Sequence, residues 1–162
     1  MDLQVIDNFL GDYQFKSLQT TIMGDDFPWY YNRYVTYAAV EDGRYQFVHQ
    51  FLNFDKRQSH LYHLMSPFER LGTLIRIKSN MLMKTVFHRR SFYHIDEIPG
   101  ATRTAIYYIN TCNGYTKFKK SGRKIKSVAN RMVIFDPSLQ HASVSQTDEK
   151  SRVVINFNYA SN

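Results

Sequence analysis

A double-sheet jelly roll behind a short helical lead-in is the fold that this sequence predicts, and three observations carry the prediction. Tyr and Phe number 12 each among 162 residues, and aromatic and β-branched side chains pack well on a pleated surface. From Ile75 onward the chain breaks into short alternating or wholly apolar runs, the pattern of strands in a sandwich or barrel. Turn residues punctuate those runs at Pro99-Gly100, Asn113-Gly114, Ser121-Gly122, Asp136-Pro137 and Thr147-Asp148.

The lead-in opens with Val5-Ile6-Asp7-Asn8-Phe9-Leu10 as a short strand or turn. Phe15, Leu18, Gln19 and Ile22 then fall at helical spacing, which predicts an amphipathic helix from Asp12 to Met23. Pro28 biases Phe27 away from helix and ends that pattern. A second helix is predicted from Ser66, an N-cap residue followed by Pro67 and Glu69, to about Leu74. Predicted strands follow at 75–84, 86–94, 103–110, 115–119, 123–128, 131–135, 141–146 and 151–159. Eight short strands behind helices give a mainly β (α+β) jelly roll. A helical lead-in over about 1–74 and a core over about 75–159 make one domain of 1–162, as the length suggests. The sequence has no internal repeat, low-complexity tract or linker.

Composition narrows the function classes. The longest apolar runs, such as Met132 to Phe135, fall far short of the roughly 20 residues that cross a bilayer. Met1 is followed by Asp2 and not by a basic, apolar leader, so the sequence reads as carrying no signal peptide, and the cytoplasm is the expected compartment. Cys112 is the single cysteine and has no partner for a disulfide or a metal knuckle. The net charge of +7 favours an acidic partner. Much of it lies in Lys117, Lys119, Lys120, Arg123, Lys124 and Lys126, which read first as a solvated hairpin, since no nucleic-acid recognition motif accompanies them.

The chemistry concentrates in two places. Phe92-Tyr93-His94-Ile95-Asp96 reads as the end of a strand, so His94 and Asp96 project to one side and Ile95 to the other. An imidazole and a carboxylate so placed can chelate a divalent metal. After the turn at Asp136-Pro137 comes His141, opening another strand. Arg152 follows inside Ser151-Arg152-Val153-Val154-Ile155-Asn156-Phe157, where an arginine is costly unless it meets an anion. Two histidines and one carboxylate make a facial triad that leaves coordination positions open, the ligand set of non-haem Fe(II) sites.

In these residues the chain resembles the 2-oxoglutarate- and Fe(II)-dependent dioxygenases, and within them the prolyl-hydroxylase-like branch. The resemblance covers roughly residues 75–159, through His94-Ile95-Asp96, Thr104 to Asn110, Asn113-Gly114-Tyr115-Thr116-Lys117-Phe118, Asn130 to Phe135, His141 and Arg152. It implies a double-stranded β-helix of cupin-like form, with N-terminal helices packed on the sheet. His94, Asp96 and His141 would hold Fe(II), Arg152 would meet the far carboxylate of 2-oxoglutarate, and Tyr108 would add a hydroxyl donor. It further implies O2 as oxidant, ascorbate as an accessory reductant, release of succinate and CO2, and hydroxylation of a C–H bond on a peptide, protein or free amino acid, with proline favoured. Two departures stand out: Lys84 falls where the family places a tyrosine, and Asn113-Gly114-Tyr115 replaces the usual Gly-Gly. Oxidative demethylation of nucleic acid, suited to the basic hairpin, and a non-enzymatic cupin-like metal-binding module are the alternatives.

The remaining candidates read as structural. His60 and His63 share a face if helical but lack a third ligand, and His49 and His88 stand alone, with His49 also placed to line a substrate cleft. Trp29, Tyr30, Tyr31 and Tyr34 read as core packing, with a substrate-facing lid over about 29–50 as the alternative. Cys112 has no base at a known spacing.

Overall fold

The structure, a computed structural model, describes residues 3–35 and 44–161. Its elements in chain order are β1 (Leu3–Ile6), α1 (Asp12–Met23), β2 (Tyr30–Asn32), β3 (Gln46–Asn53), β4 (Lys56–Arg57), a 3-10 segment (His60–Leu71), β5 (Thr73–Met83), β6 (Arg103–Tyr108), β7 (Tyr115–Phe118), β8 (Lys124–Lys126), β9 (Arg131–Phe135), β10 (His141–Val144) and β11 (Ser151–Ala160). A major antiparallel sheet runs β1-β9-β6-β11-β5-β3-β2, with β4 beside β3, and a minor sheet runs β10-β7-β8. This is the expected jelly roll.

The period of two in β11 decides which side of the major sheet is which. Val153, Ile155 and Phe157 point to one face and join a core with Leu18, Ile22, Met65, Phe68 and Tyr107. Each such fully buried side chain contributes about 1.5–3 kcal/mol. Arg152, Val154 and Asn156 point to the other face, toward the minor sheet. There Ile106, Tyr108, Val133 and Phe135 pack against Phe118 and Ile125. The helical layer therefore lies on one face of the major sheet, and the space between the sheets lies on the other.

Asn130 fastens the lead-in to the sheet. It adopts a left-handed backbone (φ 62°), its side chain accepts from Leu10 N at 2.9 Å and donates to Leu10 O at 2.8 Å, and the Tyr107 hydroxyl donates to it at 2.6 Å. That pairing fixes where α1 begins. The predicted helix over Asp12–Met23 is present with those bounds.

Three expectations are corrected. The second helix does not start at Ser66: it is a 3-10 segment capped by Ser59, whose hydroxyl accepts from Leu61 N at 3.0 Å, and Pro67 sits inside it. Its buried residues, Met65 and Phe68, are three apart, the 3-10 period. The lead-in is also not purely helical, because β3 pairs with β5 and extends the major sheet. A bulge between Gln50 and Leu52 breaks the alternation that would have revealed β3. Finally, the strand predicted over 86–94 is reduced to two isolated bridges, Arg90 with Val144 and His94 with His141. The Ser91 hydroxyl accepts from Ser143 N at 2.9 Å, where a ladder would use a backbone carbonyl.

His49 is a core residue. It is 3% exposed, packs against Phe27 and Phe51, and bonds Pro28 O and Ser59 Oγ, each at 2.8 Å. The carbonyl can only accept, so Nδ1 carries the proton and Nε2 accepts from the serine. Burial pushes the His49 pKa below its ordinary 6.5. The unfolded chain then binds the extra proton more readily, so stability is full above about pH 6.5 and falls as pH drops below it. Thermal melts at pH 7.5 and 5.5 are expected to show a lower melting temperature at the acid pH, and His49→Phe is expected to shrink that difference.

Candidate active site

His94 and His141 meet because the two backbones pair. His94 N donates to His141 O and His141 N donates to His94 O, both at 3.0 Å, which sets the imidazoles side by side with ring centroids 4.4 Å apart. Asp96 lies two residues on, on the same side, its backbone held by Asp96 N donating to Pro137 O at 3.2 Å. Its carboxylate oxygens lie 3.8 Å from His94 Nε2 and 3.8 Å from His141 Nε2. One ligand atom from each of the three falls within 4.8 Å of the others.

The donor set suits a divalent first-row metal. Both Nε2 atoms face Asp96, while the other ring nitrogens are occupied: His141 Nδ1 donates to Leu139 O at 3.0 Å and His94 Nδ1 approaches Phe92 O at 3.4 Å. Carbonyls that fix the tautomer in this way leave Nε2 as a lone-pair donor. Burial lowers the pKa of His141, with His94 acting in the same direction and Asp96 against it. The imidazole is thus held neutral, the form a metal ion requires.

The triad borders a cavity of about 240 Å³ between the sheets, which Arg152 also lines. Arg152 is 2% exposed. It donates to Ser143 Oγ at 2.7 Å and to Thr116 Oγ1 at 3.2 Å, and its Nε has no hydrogen-bond partner among the described residues. Its guanidinium lies 5.5 Å from the Tyr108 ring centroid. Among the described residues no carboxylate pairs with it. Thr116 and Ser143 both line the cavity, and each hydroxyl accepts from Arg152 while keeping a proton of its own to donate.

Tyr108 stands one layer behind. It is fully buried and does not border the cavity, and its hydroxyl donates to Thr116 Oγ1 at 2.8 Å. Beside Arg152 the hydroxyls that line the cavity are therefore those of Ser143 and of Thr116, which Tyr108 orients. Lys84 lies beyond the end of β5 and is exposed; the β5 side chains that border the cavity are Arg76, Lys78, Asn80 and Leu82. Gly114, the glycine retained in Asn113-Gly114-Tyr115, makes room for the arginine: a Cβ there would come within 2.7 Å of Arg152 Cδ and 3.0 Å of Val144 O.

Other candidates separate cleanly. His60 and His63 are exposed, and His88 bonds Ser145 O at 2.7 Å. Trp29 packs on the core, Tyr30 and Tyr31 are exposed, and Tyr34 borders the cavity; residues 36–43 of the expected lid lie outside the described residues. Burial raises the Cys112 pKa and keeps the thiol protonated. None of the six basic residues of the β7–β8 hairpin borders the cavity. No helix among the described residues is long and apolar enough to cross a membrane.

The residues that the sequence reading missed are Thr116, Ser143, Lys78, Asn80 and Asn156. A signal for three of them was present. Asn156 is four residues from Arg152 on one strand, and Lys78 and Asn80 alternate with Ile77 and Ser79 on another, so each pair shares a face.

Solved structures share this architecture closely. A 2OG-Fe(II) oxygenase family oxidoreductase from Burkholderia pseudomallei superposes with a TM-score of 0.70 at 12% identity, covering 98% of this chain and 84% of that one. The fold is that of the 2-oxoglutarate–Fe(II) oxygenases. A prolyl hydroxylase from Trichoplax adhaerens, in complex with a hypoxia inducible factor oxygen degradation domain peptide fragment, gives 0.66 at 14% identity, covering 97% and 83%. The viral collagen prolyl hydroxylase of Paramecium Bursaria Chlorella virus-1, in its 2OG complex, gives 0.58 at 15% identity, covering 98% and 96%. No family model matches the sequence, and no curated protein matches it.

Gly114→Ala is expected to push the Arg152 side chain off Ser143 and Thr116. Denaturant unfolding should report a loss of about 1–3 kcal/mol, as overpacking in a tight interior produces.

Proposed function

We propose that this chain is a non-haem Fe(II)- and 2-oxoglutarate-dependent dioxygenase that hydroxylates a C–H bond of a peptidyl or free amino acid, with proline the favoured residue. The observation that carries the reading is Arg152: a buried cation with no anionic partner among the described residues, in the same cavity as a two-histidine, one-carboxylate cluster. A buried charge left without a partner is strongly destabilising. A dicarboxylate co-substrate resolves that by bringing one carboxylate to the guanidinium and the other to the metal.

In this reading His94 Nε2, His141 Nε2 and one oxygen of Asp96 hold the iron. Bound there, Fe(II) supplies the oxidation of the substrate C–H bond by O2, with oxidation of 2-oxoglutarate to succinate and CO2 providing the remaining two electrons. The chain does the rest. Leu139 O and Phe92 O hold the imidazoles in the donating tautomer. Arg152, braced by Ser143 and Thr116, receives the distal carboxylate in a charge-assisted pair. The apolar packing of Ile106 and Val154 beside it excludes water from that end of the cavity.

The proline preference rests on prolyl hydroxylases among the structural neighbours and on Tyr34, an aromatic side chain at the cavity able to meet a proline ring. The O2 requirement follows from the chemistry, and ascorbate would keep the iron reduced.

The test is succinate formation from 2-oxoglutarate by the Fe(II)-loaded protein, alongside calorimetric titration of Mn(II) as a redox-inert stand-in. The wild type is expected to release succinate in an O2-dependent way. Asp96→Ala should weaken Mn(II) binding by more than about 100-fold, beyond what loss of a supporting contact costs, with an unchanged circular dichroism spectrum. Arg152→Ala should raise the 2-oxoglutarate requirement about tenfold to a few hundredfold, the loss of a charged hydrogen bond of about 1.5–3 kcal/mol or somewhat more. No succinate from wild type, or an unchanged 2-oxoglutarate requirement in Arg152→Ala, contradicts the reading.

A further inference from the structure

Strand β5 carries a second cation into the same cavity. Lys78 is half-buried and borders it together with Asn80 and Asn156. The β11–β5 ladder sets Asn156 opposite Lys78 and Val154 opposite Asn80, so the three polar side chains form one patch on the inner face of the major sheet. Among the described residues, no hydrogen bond or ion pair joins the side chain of any of the three to another group. The neighbouring polar residues differ in this respect: Gln46 Nε2 donates to Tyr34 O at 2.9 Å and to Val35 O at 3.2 Å, holding that border of the cavity together.

The patch lies away from Arg152. In the same ladder Arg152 pairs with Leu82, and Asn156 pairs with Lys78. Four residues along a strand, at roughly 3.3 Å each, separate the two positions by about 13 Å. The cavity therefore has Arg152 toward one end and Lys78, with Arg76 two residues away on the same strand, toward the other, and the triad is also on its wall. A lysine that only covers apolar surface sends its ammonium out to bulk water. Lys78 instead is half-buried on the cavity wall, where burial and the charge of Arg76 push its pKa down to about 8 and Asp96 opposes them. It remains largely protonated at neutral pH, and desolvation makes an incoming anion more favourable there than at the surface.

We propose that Lys78, flanked by Asn80 and Asn156, anchors a carboxylate of the primary substrate at the opposite end of the cavity from the co-substrate carboxylate on Arg152. The inference rests on the oxygenase reading given above and narrows its substrate class. The ammonium pairs with the carboxylate, and each asparagine amide can donate to the same group or accept from a substrate amine. A free amino acid, a peptide C-terminus and an acidic side chain all present this chemistry. A neutral internal peptide segment does not.

The experiment presents the Fe(II)- and 2-oxoglutarate-loaded enzyme with matched pairs of compounds. One arm is free L-proline and the other L-amino acids against their C-terminal amides. A second is proline-containing tripeptides with free against amidated C-termini, and a third is amidated tripeptides with Glu against Gln. Products are read by a gain of sixteen mass units and by stimulated succinate release. The carboxylate member of at least one arm is expected to be oxidised with a KM at least tenfold below that of its amide, and the arm in which this occurs identifies the source of the carboxylate. Lys78→Met should raise the KM for that substrate tenfold to a hundredfold, with a smaller effect on kcat, and should abolish the discrimination between acid and amide. Lys78→Arg should retain it. Amides used as well as acids, a panel in which no carboxylate member is oxidised, or undiminished discrimination in Lys78→Met would each overturn the proposal. Succinate formation by the wild type without added substrate reports separately on the oxygenase reading, so the two can fail independently.

Discussion

Burying the Arg152 guanidinium away from water, with two hydroxyls and no carboxylate as partners among the described residues, carries a desolvation penalty on the order of several kcal/mol, and the surrounding structure is shaped by that burden. Gly114 gives up a side chain so that the arginine stem can pass. Tyr108 places its ring near the guanidinium and its hydroxyl on Thr116, keeping that acceptor turned toward the charge. Ser143, on β10, accepts the second contact and so ties the minor sheet to β11 across the gap. An arrangement that held the cation only for stability would be improved by an apolar residue of similar volume. In the proposed function this retained, partly satisfied charge beside the cavity is where the far carboxylate of 2-oxoglutarate would sit.

The triad depends on a different feature of the same architecture. Two residues of an irregular segment, His94 and Asp96, are set against the first residue of β10 by one reciprocal pair of backbone hydrogen bonds. Because the segment over 86–94 bridges β10 at Arg90 and His94 alone, it follows the minor sheet without forming a strand of it. The major sheet then supplies the opposite wall, where alternation along β5 and β11 delivers Arg152, Val154 and Asn156 on one strand and Lys78 and Asn80 on the other.

Much of this was legible in the sequence. The His94-Ile95-Asp96 triplet, His141 and Arg152 carry their chemistry in residue type and spacing, and the strand at 131–135 and the helix at 12–23 have the bounds that periodicity assigned. The errors have physical sources. The Ser66-Pro67 pair imitates a helix start, yet Ser59 caps the segment earlier and a 3-10 repeat buries Met65 and Phe68. The bulge in β3 puts Phe51 and Leu52 both in the core and hides the strand. The hydroxyl of Tyr108 came from the resemblance alone, which places it along the strand; that it reaches Thr116 from behind the cavity wall is visible only in the structure. Thr116 and Ser143 were missed because a side chain's place around a cavity depends on pairing between distant strands, which local pattern does not encode.

The central claim is that one cavity holds a metal on His94, Asp96 and His141 and a dicarboxylate on Arg152. A crystal grown anaerobically with Mn(II) and 2-oxoglutarate tests it most directly. The account predicts one ion bound by both Nε2 atoms and an Asp96 oxygen, with the co-substrate chelating it and its far carboxylate on the Arg152 guanidinium beside Thr116 and Ser143. An ion bound elsewhere, or a co-substrate whose far carboxylate lies away from Arg152, would contradict it.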